Sequence, residues 1–353
     1  MKSNTQQQLL TPEQLQQFQQ ELDAIKAQTL AKVGSEDAQY IRAIEKTCRY
    51  LAATGRVLLM LGWFPPFWLL GTVCLAIAKI LDNMELGHNV MHGQYNFMND
   101  ARFIGRDFEW DIAGTSDNWR KTHNYHHHTY TNVAGKDHDL GYTVLRLFDF
   151  QKWHPAQLLQ PVYALIFALL FQWGVAIQDM RIGRLFVKRI SVKGMFDEQR
   201  PAFDKMGKQL FKDYVFFPLL AGPFFLPVIL GNLIANMLRN LWTYLIIFCG
   251  HFTRDVYIFD KSVLHNESKG HWYFRQILGS SNIRGGRLFH IMSGNLSFQI
   301  EHHLFPDLPA YRYQQIAPQV QDICQRYGIP YNTGSLSRQF SQVMYRIVRY
   351  SLP

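Results

Sequence analysis

Apolar residues along this 353-residue chain gather into five runs separated by polar, mostly basic, segments. The first, about Tyr50 to Phe64, stops at Pro65-Pro66, and the second runs from Phe67 to about Leu86. The second run approaches the ~20 residues a helix needs to span hydrocarbon, so the two together read as a transmembrane hairpin. Its turn, Trp63-Phe-Pro-Pro-Phe-Trp68, carries aromatics suited to headgroup level and no Lys or Arg, which faces it away from the cytoplasm. The polar stretch from Gly93 to about Pro155 holds Arg102, Arg106, Arg120, Lys121, Lys136, Arg146 and Lys152 and is expected on the cytoplasmic side. Three more runs follow at about 158–178, 213–230 and 232–250. Arg184, Lys188, Arg189, Lys193, Arg200, Lys205 and Lys208 lie beyond the first of these, so both of its flanks look cytoplasmic and it reads as interfacial or re-entrant. The last two then form a second hairpin turning near Gly231-Asn232. Ahead of all five runs, Thr11-Pro12-Glu13-Gln14 has the pattern of a capping box with Pro at the first helical position. Leu15, Phe18, Leu22 and Ile25 follow at helical spacing, an amphipathic helix that lies on a membrane or on the rest of the protein.

The expected architecture is all-α and integral to the membrane. About four transmembrane helices in two hairpins (50–64 with 67–86, 213–230 with 232–250) and one interfacial helix (158–178) carry a cytoplasmic helical cap. Residues 1–49 are expected as N-terminal cytoplasmic helices, 50–338 as the main domain and 339–353 as a tail. With 48% hydrophobic and 18% charged residues, disorder and collagen-like repeats are excluded. The net charge of +9 suits anionic headgroups, an acidic protein or a phosphate-bearing ligand. Nucleic acid is not expected as a partner, because the Lys and Arg lie between apolar runs and form no dense stripe. Cys48, Cys74, Cys249 and Cys324 are far apart and show neither a disulfide framework nor paired metal spacing. The Gln-rich N-terminus has no apolar core of the kind a cleavable signal peptide needs, so insertion is expected from internal segments.

Fourteen His change the picture, because they are gathered. His88-Asn-Val-Met-His92 sits at the end of the second run, an i, i+4 pair that projects both rings from one helix face. His123-Asn-Tyr-His126-His127-His128 contains both an HxxHH and an HxxxHH reading. Gln299-Ile-Glu-His302-His303 precedes Leu304-Phe-Pro306. Four His in six residues are hard to explain as packing, since unsatisfied imidazoles are costly to bury. Imidazole suits iron, zinc or copper, and seven or more His exceed one four-coordinate zinc site, so two metals are the natural count. No HExxH string of a zinc protease occurs.

The three clusters resemble the histidine boxes of membrane-bound fatty acid desaturases. The second and third are similar to those of the linoleoyl-CoA/Δ6-like and mycobacterial stearoyl-CoA Δ9-like subgroup, in which Gln replaces the first His of the third box. The similarity extends from about Leu81 to Arg338. It implies a di-iron centre and oxygen-dependent removal of two hydrogens from a fatty acyl chain carried by CoA, acyl carrier protein or lipid, leaving a cis double bond. The implied metal ligands are His88, His92, His123, His127, His128, His302 and His303, with His126 as the alternative ligand if the box is read as HxxHH. The family also draws a ligand from the helix before the third box, where His251 is the candidate; Ile247 stands where related enzymes carry Asn. Gln299 is a poor iron ligand beside imidazole and is expected behind the ligands, as are Asp137, Asp139 and Asp111. Aromatics within 101–120 and 271–298 are candidate walls for an acyl tunnel. The resemblance also implies two Fe ions, O2 as co-substrate, a membrane setting, a bacterial inner membrane with the site on its cytoplasmic side, and an external electron donor such as ferredoxin or an NAD(P)H-dependent reductase, since no haem, flavin or iron–sulfur motif is present. A hydroxylase of alkyl chains shares the same box chemistry, and a non-enzymatic metal-binding membrane protein is the reading from a different class.

Overall fold

The computed structural model describes residues 10–186 and 188–353, and it is mostly helical. Helix α1 (Pro12–Leu30) starts at the expected capping box: Thr11 Oγ1 accepts from Gln14 N, and Gln14 Oε1 accepts from Thr11 N. Its stripe of Phe18, Leu22 and Ile25 is buried against α9 (Lys269–Leu278) and α11 (Tyr313–Arg326), so this helix lies on protein. Helix α2 (Ser35–Met60) and helix α3 (Pro65–Met91) form the first hairpin, joined by a turn at 61–64. They approach closely where glycines face each other. A Cβ on Gly55 would lie 2.9 Å from Gly71 O and from Leu75 N, the small-residue contact that lets membrane helices touch backbone to backbone.

The second hairpin differs from expectation. Gly231 and Asn232 do not turn; they lie inside the continuous helix α8 (Phe225–His251). The turn falls earlier, at 221–224, where Gly222 takes a positive φ of 54°. The physical reason is packing and polar pairing. A Cβ at Gly231 would come within 2.4 Å of Leu59 Cδ2, so the residue is small to admit α2. Asn232 accepts from Arg56 and donates to the Asp213 carbonyl. The helical stretch leading to that turn, α7 (200–220), is α-helical over Arg200–Phe211 and π-helical over Lys212–Phe216.

Among the described residues, two helices are long and apolar enough to cross a membrane, Pro65–Met91 and Gly222–His251. The run at 158–178 is broken: Pro155–Leu169, which includes α5 (Gln160–Leu169), meets α6 (Phe171–Asp179) at 92°, where Leu170 leaves helical geometry with φ −108° and ψ 22°. If the bent pair counts as one span, the number rises to three.

Two further departures concern the C-terminal region. Asn282–Arg284 (β1) pairs in parallel with Thr333–Ser335 (β2), a short ladder in an otherwise helical chain. Residues 339–353, expected as a tail, belong mostly to α12 (Leu336–Arg349), whose Val343 and Ile347 are buried with Phe148 and Phe252 in the core around α8. An apolar stripe at three- and four-residue spacing in an otherwise polar segment explains that docking.

Candidate metal centre

Four elements deliver the clustered histidines. His88 and His92 come from the last turns of α3. His123, His127 and His128 come from α4 (116–130), His251 is the last residue of α8, and His302 and His303 lie on α10 (Gln299–Leu304). Two of these segments are π-helical, Asp82–His88 and Arg120–His127. In a π-helix the backbone bonds reach five residues back, so residues at i+4 and i+5 share a face, whereas an α-helix pairs i+3 and i+4. That places His127 and His128 on the side of His123. His126 falls outside the cluster, with its ring centroid 5.3 Å from that of His138 and beside Tyr125 and Tyr130.

The rings meet through their Nε2 atoms. His88 Nε2 lies 3.2 Å from His302 Nε2, His128 Nε2 3.3 Å from His123 Nε2, and His303 Nε2 3.3 Å from His251 Nε2. One set of ligand atoms, from His88, His92, His123 and His302, lies within 4.8 Å of one another, and so does a second from His127, His251 and His303. The two sets are bridged by His128, which stacks on His303 with centroids 4.5 Å apart. Metal–nitrogen bonds of about 2.0–2.1 Å put neighbouring ligand atoms roughly 3 Å apart, so this spacing is that of a coordination shell. Hydrogen bonding alone does not account for it, because His92 Nε2 and Gln299 Oε1 are buried without a partner. The residues present fit a pair of imidazole-ligated metals.

Several of the outward ring nitrogens are held from behind, while Nδ1 of His128 and of His251 is buried without a partner. His127 Nδ1 is 3.1 Å from both Asp137 oxygens, and Asp137 also accepts from Asn132 N and Asp139 N. Asp139 Oδ2 stands 3.6 Å from His123 Nδ1. His303 Nδ1 meets Gln276 Oε1 at 3.1 Å and Thr131 Oγ1 at 3.2 Å, and the Tyr313 hydroxyl is 3.5 Å from His302 Nδ1. Gln299 sits beside the second set, its Nε2 3.0 Å from His251 Nε2. Asp111, expected behind the histidines, is engaged elsewhere: Lys212 and Gln209 donate to its carboxylate from the far side of the cavity wall. Gln276, Thr131 and Tyr313 carried no signal in the sequence, since each reaches the site from a different element.

A family model described as fatty acid desaturase matches residues 62–335. This chain belongs to the fatty acid desaturase family. Over 348 residues it is 42% identical to the NADPH-dependent stearoyl-CoA 9-desaturase of Mycobacterium tuberculosis, covering 98% of this chain and 82% of that protein. It is 28% identical over 279 residues to the sn-1 linoleoyl-lipid 6-desaturase of Synechocystis, 75% of each chain. Fatty acid desaturase 3 of Bos taurus is 25% identical over 284 residues, 76% of this chain and 58% of that one. The protein is therefore an acyl desaturase and an oxidoreductase, which removes the non-enzymatic reading.

In this desaturase the cavity beside the histidines is lined by Trp110, Ile112, Trp119, Tyr142, Phe171 and Ile247, among others. Trp110 and Trp119 fall in the stretch expected to supply walls. No aromatic from 271–298 lines the cavity, and those residues pack elsewhere, Tyr273 and Phe274 under α1. Burial, reinforced by neighbouring imidazoles, holds His123, His128, His302 and His303 well below the usual histidine range. They are neutral at pH 7, the state in which a lone pair is available to a metal. Burial also opposes charge on His127, but the carboxylates of Asp137 and Asp139 outweigh it and raise that ring above its ordinary value.

Proposed function

We propose that this desaturase inserts a cis double bond at position 9 of a saturated acyl-CoA. In this reading two irons are held by His88, His92, His123, His127, His128, His251, His302 and His303. The observation that carries it is two adjacent imidazole sets, within each of which Nε2 atoms meet at coordination-shell spacing. Acyl-CoA is favoured over acyl lipid because the stearoyl-CoA relative is 42% identical and the linoleoyl-lipid relative 28%. Two irons would supply, with O2 as oxidant, the oxidising power that an unactivated methylene demands and that side-chain acid–base chemistry lacks. Overall, two hydrogens leave the chain and, with two electrons and two protons from outside, reduce one O2 to two waters.

The chain's own residues bind, orient and insulate. Asp137 fixes the His127 ring through Nδ1 and so aims Nε2 inward, and Gln276 with Thr131 does the same for His303. Gln299 fills the place of a further ligand beside His251, where its amide can hold a water or the metal-bound face of the site. Trp119, stacked on His123 at 4.4 Å, forms an apolar surface for the acyl chain next to the centre. Electrons come from a separate donor, and the NADPH dependence in the mycobacterial relative's name favours an NADPH-dependent reductase over ferredoxin. The same reading includes four crossings, made by the apolar half of α2, α3, the end of α7 and α8, with residues 50–338 as the catalytic domain. The basic loops put the histidines on the cytoplasmic side, in a bacterial inner membrane.

The test is expression in a host lacking position-9 desaturation, with fatty acid methyl ester and metal analysis of the purified protein. The expected result is an 18-carbon monoene with its double bond at position 9 and about two irons per chain. A hydroxylated product, a different bond position, or zinc in place of iron would overturn the reading.

A further inference from the structure

Trp110 and Ile112 line the cavity, and between them Asp111 points the other way. The stretch 108–114 has no regular secondary structure, so nothing in its own backbone fixes this wall. It is fixed by α7. Lys205, Gln209 and Lys212 lie four and three residues apart on that helix, one face of it, and all three bond the wall. Lys205 pairs with Glu109 and donates to Gly114 O at 2.7 Å. Gln209 Nε2 donates to Asp111 Oδ1 at 2.7 Å, and Lys212 pairs with Asp111. Inside the wall the contacts continue toward the histidines. Trp110 Nε1 donates to the same Gly114 carbonyl at 2.9 Å, and Trp110 packs on Trp119 with centroids 5.2 Å apart, which in turn stacks on His123. Glu109 accepts from Ser116 Oγ at 2.8 Å, tying the wall to the first turn of the histidine-bearing helix α4. On its outer side α7 presents Leu210, Phe211, Val215 and Phe216 exposed, with little else of Arg200–Phe211 buried than Ala202.

We propose that α7 is a strap whose Lys205, Gln209 and Lys212 set the position of the Trp110–Ile112 wall, and that the wall sets which acyl chains are accepted and where along them the double bond falls. These are positioning residues. They touch neither metal nor substrate, and the proposal rests on the reading of the cavity as the acyl site. A change in the wall that lets the bound chain slide by about one carbon spacing changes which carbon pair faces the centre, because the histidines stay fixed.

The experiment compares full-length wild type, Lys212→Asp, Asp111→Lys and the double exchange, in membranes supplied with saturated acyl-CoAs of several lengths. Chain-length preference, double-bond position, KM, kcat and iron per chain are all read. The single exchanges are expected to change the ratio of kcat/KM between two chain lengths by about threefold or more, or to spread the bond position, at unchanged iron content. The double exchange is expected to restore the wild-type pattern. Unchanged selectivity in the singles overturns the proposal, and so does a double exchange no closer to wild type than either single. If a single exchange fails to accumulate, Lys212→Met and Gln209→Leu test the same contacts without burying a new charge, and unchanged selectivity in both overturns the proposal. A wild type that makes no monoene or binds no iron would instead count against the proposed function, so the two failures are distinct.

Discussion

At the residue scale the roles separate by which ring nitrogen is used. His127→Ala removes an inward Nε2 and is expected to abolish desaturation and lower bound iron, whereas His126→Ala, outside the cluster, keeps both; product and metal analysis decide. Asp137→Ala leaves every histidine in place but frees the His127 ring, and such partners behind a ligand are typically worth about 10–100-fold in metal affinity, measurable by chelator competition. The protonation states give a further expectation for the metal-free protein. His123, His128, His302 and His303 are held below their unfolded value of about 6.5, so under that pH the unfolded chain binds more protons and stability rises with pH up to about 6.5. His127 has the opposite sign: raised, it stabilises below about 6.5 and loses that contribution as pH climbs through its folded value. Asp139, Asp179 and Glu301, raised by burial, share the His127 sign, so the two sets oppose one another and thermal unfolding in detergent should change little between pH 5 and pH 7. The sequence exposed the ligand candidates because box spacing is local. It could not separate Asp137 from Asp111, since both are acids a dozen residues or so from the same box, and only the fold turns one toward His127 and the other toward Lys212.

At the element scale the π-helical turns matter most. Hydrophobic periodicity revealed that helices exist at 67–86 and 232–250, because long apolar runs dominate their surroundings. It was blind to the π segments, whose extra residue changes no composition, and for that reason the string alone left HxxHH and HxxxHH open and only the resemblance favoured HxxxHH, with His126 as the alternative. Deleting Lys121 would remove one residue from the π turn and favour an α turn, which rotates α4 beneath His123. The expected outcome is a protein with wild-type helicity by circular dichroism and less than half the iron. Gly231-Asn232 misled for a related reason: both residues favour turns, yet here they are chosen for contact with Leu59, Arg56 and Asp213. A bulky replacement at the Gly55–Gly71 crossing should cost at least about 1–3 kcal/mol, read as a lower midpoint of thermal aggregation.

At the scale of the whole molecule, four helices are joined by one buried ionic cluster. Asp213 accepts from Arg56 Nη2 at 2.7 Å, Lys79 Nζ at 2.9 Å and Asn236 Nδ2 at 3.0 Å, so it links α2, α3, α7 and α8. Removing one member of a buried pair leaves an uncompensated charge, and Asp213→Ala should destabilise by about 3–5 kcal/mol. Yield after detergent extraction, compared with Asp213→Asn, measures it. Charge counting along the sequence passed over Arg56 and Lys79, which lie inside apolar runs; their pairing depends on four elements meeting and was out of reach. The same long reach governs the metal centre, where His88 and His302 face each other across 214 residues of chain. A ribosome must therefore have made nearly all of the protein before the first metal pocket has its walls. Under the proposed function iron is acquired after synthesis, a nascent or truncated chain has nothing coherent with which to hold it, and metal content becomes a readout of whether a molecule was finished.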